Sequence, residues 1–149
     1  MFFTHLGIRL RKKLLVKVER GVAYSDVDGD ELLCDIHASR FGSGKQPVLL
    51  WIHGGSWVEG SRQNCSLDAM ALHGWKVVAI DYRLADTAPF PAQIEDCQAA
   101  LRWIADNAEE HGFDSSRIAV AGNSAGGHLA SLLATSYSLE GVPVRCVAA

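Results

Sequence analysis

The chain has 149 residues, a formal net charge of −3, 48% apolar residues and 21% charged ones. This length suits one domain with a core of useful size, and this balance excludes a disordered chain. The small net charge argues against a nucleic-acid partner, and no apolar run approaches the length of a membrane span.

Residues 1–18, "MFFTHLGIRLRKKLLVKV", hold five of the 14 basic residues (Arg9, Arg11, Lys12, Lys13 and Lys17), and no acid precedes Glu19. The basic cluster follows the apolar residues, the wrong order for a signal peptide. The segment reads as a solvated basic arm. A membrane-surface helix with Phe2, Phe3, Leu6 and Leu10 on one side is the alternative. The domain proper is expected over 19–149. There "KVERGVAYS" and "ELLCDIHA" (31–38) predict a hairpin that turns at "DVDGD". Asp26, Asp28 and Asp30 resemble the start of a calcium loop. The position that would carry the closing glutamate is His37, which favours a plain turn.

Three apolar runs follow: "PVLLWIH" (47–53), "KVVAIDY" (76–82) and "RIAVAG" (117–122). Continuous runs of this length predict strands covered on both faces, and "VPVRCVAA" (142–149) is expected to be another. A helix is expected over about 63–73. A longer one is expected from Pro91 to His111, where Ile94, Cys97, Leu101, Ile104 and Ala108 form one stripe and Gly112 supplies the stop. A third begins at Ser124 or Ala125. Strands alternating with helices predict an α/β fold with a mainly parallel sheet flanked by helices. Cys34, Cys65, Cys97 and Cys146 form no CxxC pair, and buried free thiols are the expectation. That usage points to a reducing, cytoplasmic setting.

Ligands of parallel sheets bind at the carboxyl ends of the strands. Two segments leave strands there. In "GNSAGG" the residues Gly122, Asn123, Ser124, Ala125 and Gly126 match G-x-S-x-G, with a strand before and a helix after. Such a turn strains the serine backbone and lifts its hydroxyl off the sheet. Gly122 and Gly126 are the elbow glycines, where side chains would collide with neighbouring chain. The helix N-terminus favours negative charge, and the Ala125 N–H is aimed at an oxyanion. A glycine-rich turn with a serine N-cap is the competing reading. The second segment, "HGGSW" (53–57), tilts the choice, because Gly54 and Gly55 leave backbone N–H groups open as further oxyanion donors.

"IHGGSWVEGS", "VVAIDYRLADTAPFPAQIEDCQAALRWI" and "RIAVAGNSAGGHLASLLA" together resemble the esterase/lipase branch of the α/β-hydrolase fold. The likeness runs from about residue 30 to the end. It is to hormone-sensitive-lipase-like and carboxylesterase-type enzymes, including feruloyl-esterase-like and kynurenine-formamidase-like members. The resemblance implies a serine hydrolase of small-molecule esters or amides, with no metal and no organic cofactor. Ser124 would be the nucleophile; Gly54, Gly55 and Ala125 would hold the oxyanion. His53 would shape the glycine loop, and Asp81, Tyr82, Arg83, Pro91 and Asp96 would organise the fold around it. The family's third loop glycine is Ser56 here. "RLADTAPFPA" lacks the usual proline and acid after "RLA".

A serine nucleophile needs a base and an orienting acid, which in this superfamily follow it in the chain. After Ser124 come one histidine, His128, and one acid, Glu140. Four residues on, His128 should ride the helix flank rather than face the hydroxyl. The sequence is therefore expected to be the N-terminal half of a longer hydrolase, incomplete at the C-terminus and of little activity alone. Such a chain is expected to associate through an exposed strand edge. A truncated, non-catalytic α/β-hydrolase-like binding protein is the alternative, and a base donated by another chain is a third.

Overall fold

Alternate residues of three neighbouring strands face opposite layers, and this sets the architecture. The protein is described by a computed structural model, in which residues 14–135, 142 and 144–149 are placed. Most of the basic arm therefore lies outside the described residues; residues 16–18 belong to the first strand. Strands β3 (Gln46–Ile52), β4 (Lys76–Ile80) and β5 (Phe113–Gly122) form the middle of the sheet. Val48, Leu50, Ile52, Val78, Ile80, Ile118 and Val120 point into the larger core. Leu49, Trp51, Val77, Ala79, Ala119 and Ala121 point into a smaller one on the other face. Each fully buried Leu or Ile contributes about 1.5–3 kcal/mol, which explains why these strands read as unbroken apolar runs.

The hairpin expected at the start is present. Strands β1 (Val16–Val27) and β2 (Asp30–Ser39) pair antiparallel, and the chain reverses at Asp28 and Gly29, both at positive φ. A last strand, β6 (Val144–Ala148), completes the order β1-β2-β4-β3-β5-β6 among the described residues. Pairs β3–β4, β3–β5 and β5–β6 are parallel, and β2 runs antiparallel to both its neighbours, so the sheet is mixed.

Helix α1 (Ala92–Asp106) lays Ile94, Cys97, Leu101 and Ile104 on the larger core, as the stripe predicts. It stops earlier than expected. Asn107 sends both its backbone N–H and its side-chain amide to the Trp103 carbonyl, at 2.9 Å each, and the short α2 (Ala108–His111) follows. A side chain that competes for a backbone acceptor interrupts a helix in this way. Helix α3 (Ala125–Thr135) packs Leu129, Ala130 and Leu133 on the same core.

Two expectations change. The helix expected over 63–73 is a 3₁₀ turn at Asp68–His73. The Trp51 indole donates to the Asn64 carbonyl at 3.2 Å, so that carbonyl is spent outside a helix. Strand β6 is expected to be covered on both faces; among the described residues it is the edge strand, with all but Val144 exposed. Cys146 is accordingly exposed and Cys65 half-buried, whereas Cys34 and Cys97 are buried as expected. Burial pushes the Cys34 thiol up to about 12 and Cys97 higher still.

An ion pair to a buried carboxylate ties the segment between β4 and α1 to the helix. Asp96 is 2% exposed and accepts the Arg83 backbone N–H at 2.8 Å and its Nη2 at 2.7 Å. Asp96→Ala leaves that guanidinium without its main acceptor. A fully buried pair loses roughly 3–5 kcal/mol on such a change. Arg83 is 26% exposed and partly recovers water, so the expected loss is about 2–3 kcal/mol, read as a lower urea midpoint at unchanged slope.

Candidate active site

The register of the central strands brings the two glycine segments together. Ile52 pairs with Gly122 at the carboxyl ends of β3 and β5. His53 and Gly54 therefore leave the sheet beside Asn123 and Ser124. Ser124 has φ 54°, the left-handed region that costs a serine about 1–2 kcal/mol. Close packing holds it there. A Cβ at Gly126 would be driven into the Ile52 carbonyl oxygen and would stand 2.5 Å from that of His53. One at Gly122 would meet the Gly126 carbonyl and lie 2.8 Å from the Gly127 nitrogen. The Gly126 N–H donates to Asn123 O and the His128 N–H to Ser124 O, both at 3.0 Å. Ser124 itself is exposed, above the buried Ala125, Gly126 and Gly127. Ala125 opens α3, where first-turn N–H groups have no acceptor within the helix.

The glycine loop is bent sharply. Gly55 has φ 121°, Ser56 51° and Trp57 63°. The Gly55 carbonyl accepts from the N–H groups of Val58 and Glu59 at 3.0 Å each, closing the turn. The expectation for Gly54 changes: its N–H donates to Asn123 Oδ1 at 3.0 Å, so it ties the two segments together instead of facing outward. Two cavities flank the loop. A polar one of about 420 Å³ is lined by Gly54, Gly55, Glu59 and Asn123. An apolar one of about 290 Å³ lies between Trp57, Phe90, His128 and Leu129. His128 is exposed and meets Trp57 edge-on, ring centroids 5.5 Å apart.

Beneath the loop is a polar scaffold. His53 is 1% exposed and stacks on Tyr82 at 4.3 Å between ring centroids. Its Nδ1–H donates to the Gly54 carbonyl at 2.8 Å, and the Tyr82 hydroxyl donates to the His53 carbonyl at 3.1 Å. Burial lowers the imidazole below its usual range and pushes the Tyr82 phenol up to about 12. Asp81 accepts the Arg62 backbone N–H at 2.7 Å and its guanidinium, which also reaches buried Asp35 at 2.9 Å. Tyr24 donates to the Asp81 carbonyl at 2.6 Å. These contacts agree with a structural use of His53, Asp81, Tyr82, Arg83 and Asp96. Sequence reasoning missed Asn123, Arg62, Asp35 and Tyr24. Asn123 sat inside the quoted motif unassigned, and nothing in the sequence marks Arg62 as the bridge between two distant aspartates.

A strained serine between a strand and a helix, beside a glycine loop on the next parallel strand, defines the α/β-hydrolase class. The chain belongs to the BD-FAE family, whose model matches residues 34–146. It is 45% identical over 95 residues to the carboxylesterase NlhH of Mycobacterium tuberculosis, covering 59% of this chain and 28% of that protein. With the esterase LipI of the same organism it shares 46% over 103 residues, 66% of this chain and 32% of the relative. A solved structure described as a bacterial heroin esterase superposes with a TM-score of 0.73 at 36% identity, over 95% of this chain and 47% of that one. The chain thus spans about a third or less of these curated relatives, and about half of the solved structure. No helix among the described residues is long and apolar enough to cross a membrane.

The packing at Gly126 gives a direct test. Gly126→Ala puts a methyl against two backbone carbonyls that cannot swing aside. The variant is expected to lose at least about 3 kcal/mol of stability by urea unfolding, at the upper end of overpacking penalties.

Proposed function

We propose that the protein hydrolyses carboxylic esters through an acyl-enzyme on Ser124. The observation that carries this reading is the pairing of Ile52 with Gly122, which sets an exposed, strained serine hydroxyl beside a glycine loop. The Ser124 Oγ attacks the ester carbonyl carbon and its proton passes to a general base. The carbonyl oxygen gains negative charge, and the N–H groups of Gly55 and Ala125 stabilise it. The Gly54 N–H, engaged by Asn123, serves as a tie and not as a donor. Collapse expels the alcohol, and water then releases the acid. Esterase relatives support the ester over other acyl substrates.

The apolar cavity between Trp57, Phe90 and Leu129 fits the hydrocarbon part of a small ester. His128 on its wall is one helical turn from Ser124, its N–H donating to the Ser124 carbonyl at 3.0 Å. His128 does not fit the role of base: it lies against Trp57 on the flank of α3. The residues described supply the nucleophile and the oxyanion donors of the reaction.

Hydrolysis of p-nitrophenyl butyrate by the full-length protein is expected to fall by about 10³-fold or more in Ser124→Ala, with the fold unchanged by circular dichroism. Equal rates in the two proteins would contradict the proposal.

A further inference from the structure

Asn123 takes no part in the bond-making steps of the acyl-transfer reading, although among the described residues its side chain makes the one polar contact between the serine turn and the glycine loop. Asn123 Oδ1 accepts the Gly54 N–H at 3.0 Å across 69 residues of sequence. The ladder between β3 and β5 ends just before this contact, at Ile52 and Gly122. The side chain thus adds a rung where backbone pairing has stopped. We infer that Asn123 is a positioning residue, whose side-chain carbonyl clamps the glycine loop to the serine turn so that the Gly55 and Ala125 N–H groups face one oxygen. This inference rests on the acyl-transfer reading above.

Peptide planarity explains why the clamp acts on Gly55. In a trans peptide the C=O and the following N–H point in opposite directions. The Gly54 carbonyl is drawn onto the His53 ring at 2.8 Å, so the Gly55 N–H must point away from that ring. This fixes a direction and leaves the position open. Asn123 supplies the position, because it pins the nitrogen at the other side of the Gly54 Cα. The approach is close: a Cβ at Gly54 would stand 2.6 Å from Asn123 O and 3.1 Å from its Nδ2. Asn123 is itself fixed, since its backbone carbonyl accepts the Gly126 N–H at 3.0 Å in the first turn of α3. One residue therefore joins both proposed donors, Gly55 through the loop and Ala125 through the helix.

The chemistry needs an acceptor at the end of a short side chain. Asp supplies one and Ala does not. Asn123 is exposed, so neither replacement disturbs a core. Outright deletion of an oxyanion donor lowers kcat by roughly 10²–10³, and a donor that is present but loose should lower it less. In Asn123→Ala we expect kcat for p-nitrophenyl butyrate to fall about tenfold with KM within about twofold, and the Gly54 amide to exchange its hydrogen faster. Asn123→Asp is expected to restore at least half of kcat and the slow Gly54 exchange. The inference is overturned if Asn123→Ala keeps the parent kcat, or if Asn123→Asp is as slow as Asn123→Ala. Hydrolysis by the parent that does not depend on Ser124 overturns the acyl-transfer reading and this inference with it. A Ser124-dependent parent with an unimpaired Asn123→Ala overturns this inference alone.

Discussion

The contact on which the site depends is backbone against backbone. The first turn of α3 lies on the carbonyls that end β3, so closely that only glycine fits at 126. That approach exists because β3 and β5 are adjacent, parallel and in register at their carboxyl ends. It leaves the chain too little length to turn gently from strand to helix. Ser124 takes up the difference at φ 54°, and its side chain is exposed as a result. The backbone strain, about 1–2 kcal/mol, is offset by the buried apolar layers on either side. A one-residue slip of β5 against β3 would turn Ile118 and Val120 out of the larger core. The core therefore enforces the register that the site requires.

Around this contact, charged groups act as placement devices. Arg62 joins Asp35 on β2 to Asp81 beyond β4, and Arg83 joins Asp96 on α1 to the segment after Tyr82. Buried pairs of this kind give little net stability, because desolvation offsets most of the attraction. Their effect here is geometric. Arg62 fixes the exit of the glycine loop, and Tyr82 presents a flat surface on which His53 stacks. His53 then directs the Gly54 carbonyl, and with it the next peptide group.

Much of the fold was legible because it is written in short-range patterns. Apolar runs gave β3, β4 and β5, the stripe from Ile94 to Ile104 gave α1, and the glycine at 29 sits in the expected hairpin turn. The failures have local causes that a pattern does not record. Asn107 leaves the helical backbone conformation and ends α1, and the Trp51 indole takes the Asn64 carbonyl in the segment where a helix was expected. At the site, the glycine spacing located both loops. It did not reveal that the Gly54 N–H was spoken for, because its acceptor is a side chain 69 residues away. The same holds for Arg62, whose two partners lie within β2 and just beyond β4.

The proposed acyl transfer requires the elbow to make one serine chemically distinct from the others. Treating the folded protein with a fluorophosphonate and mapping the adduct by tryptic mass spectrometry tests this directly, since the electrophile reports the nucleophile itself. The account predicts a single adduct on Ser124 that disappears when the protein is unfolded in urea before labelling. An adduct on Ser56 or another serine, or labelling of Ser124 that survives unfolding, would contradict it.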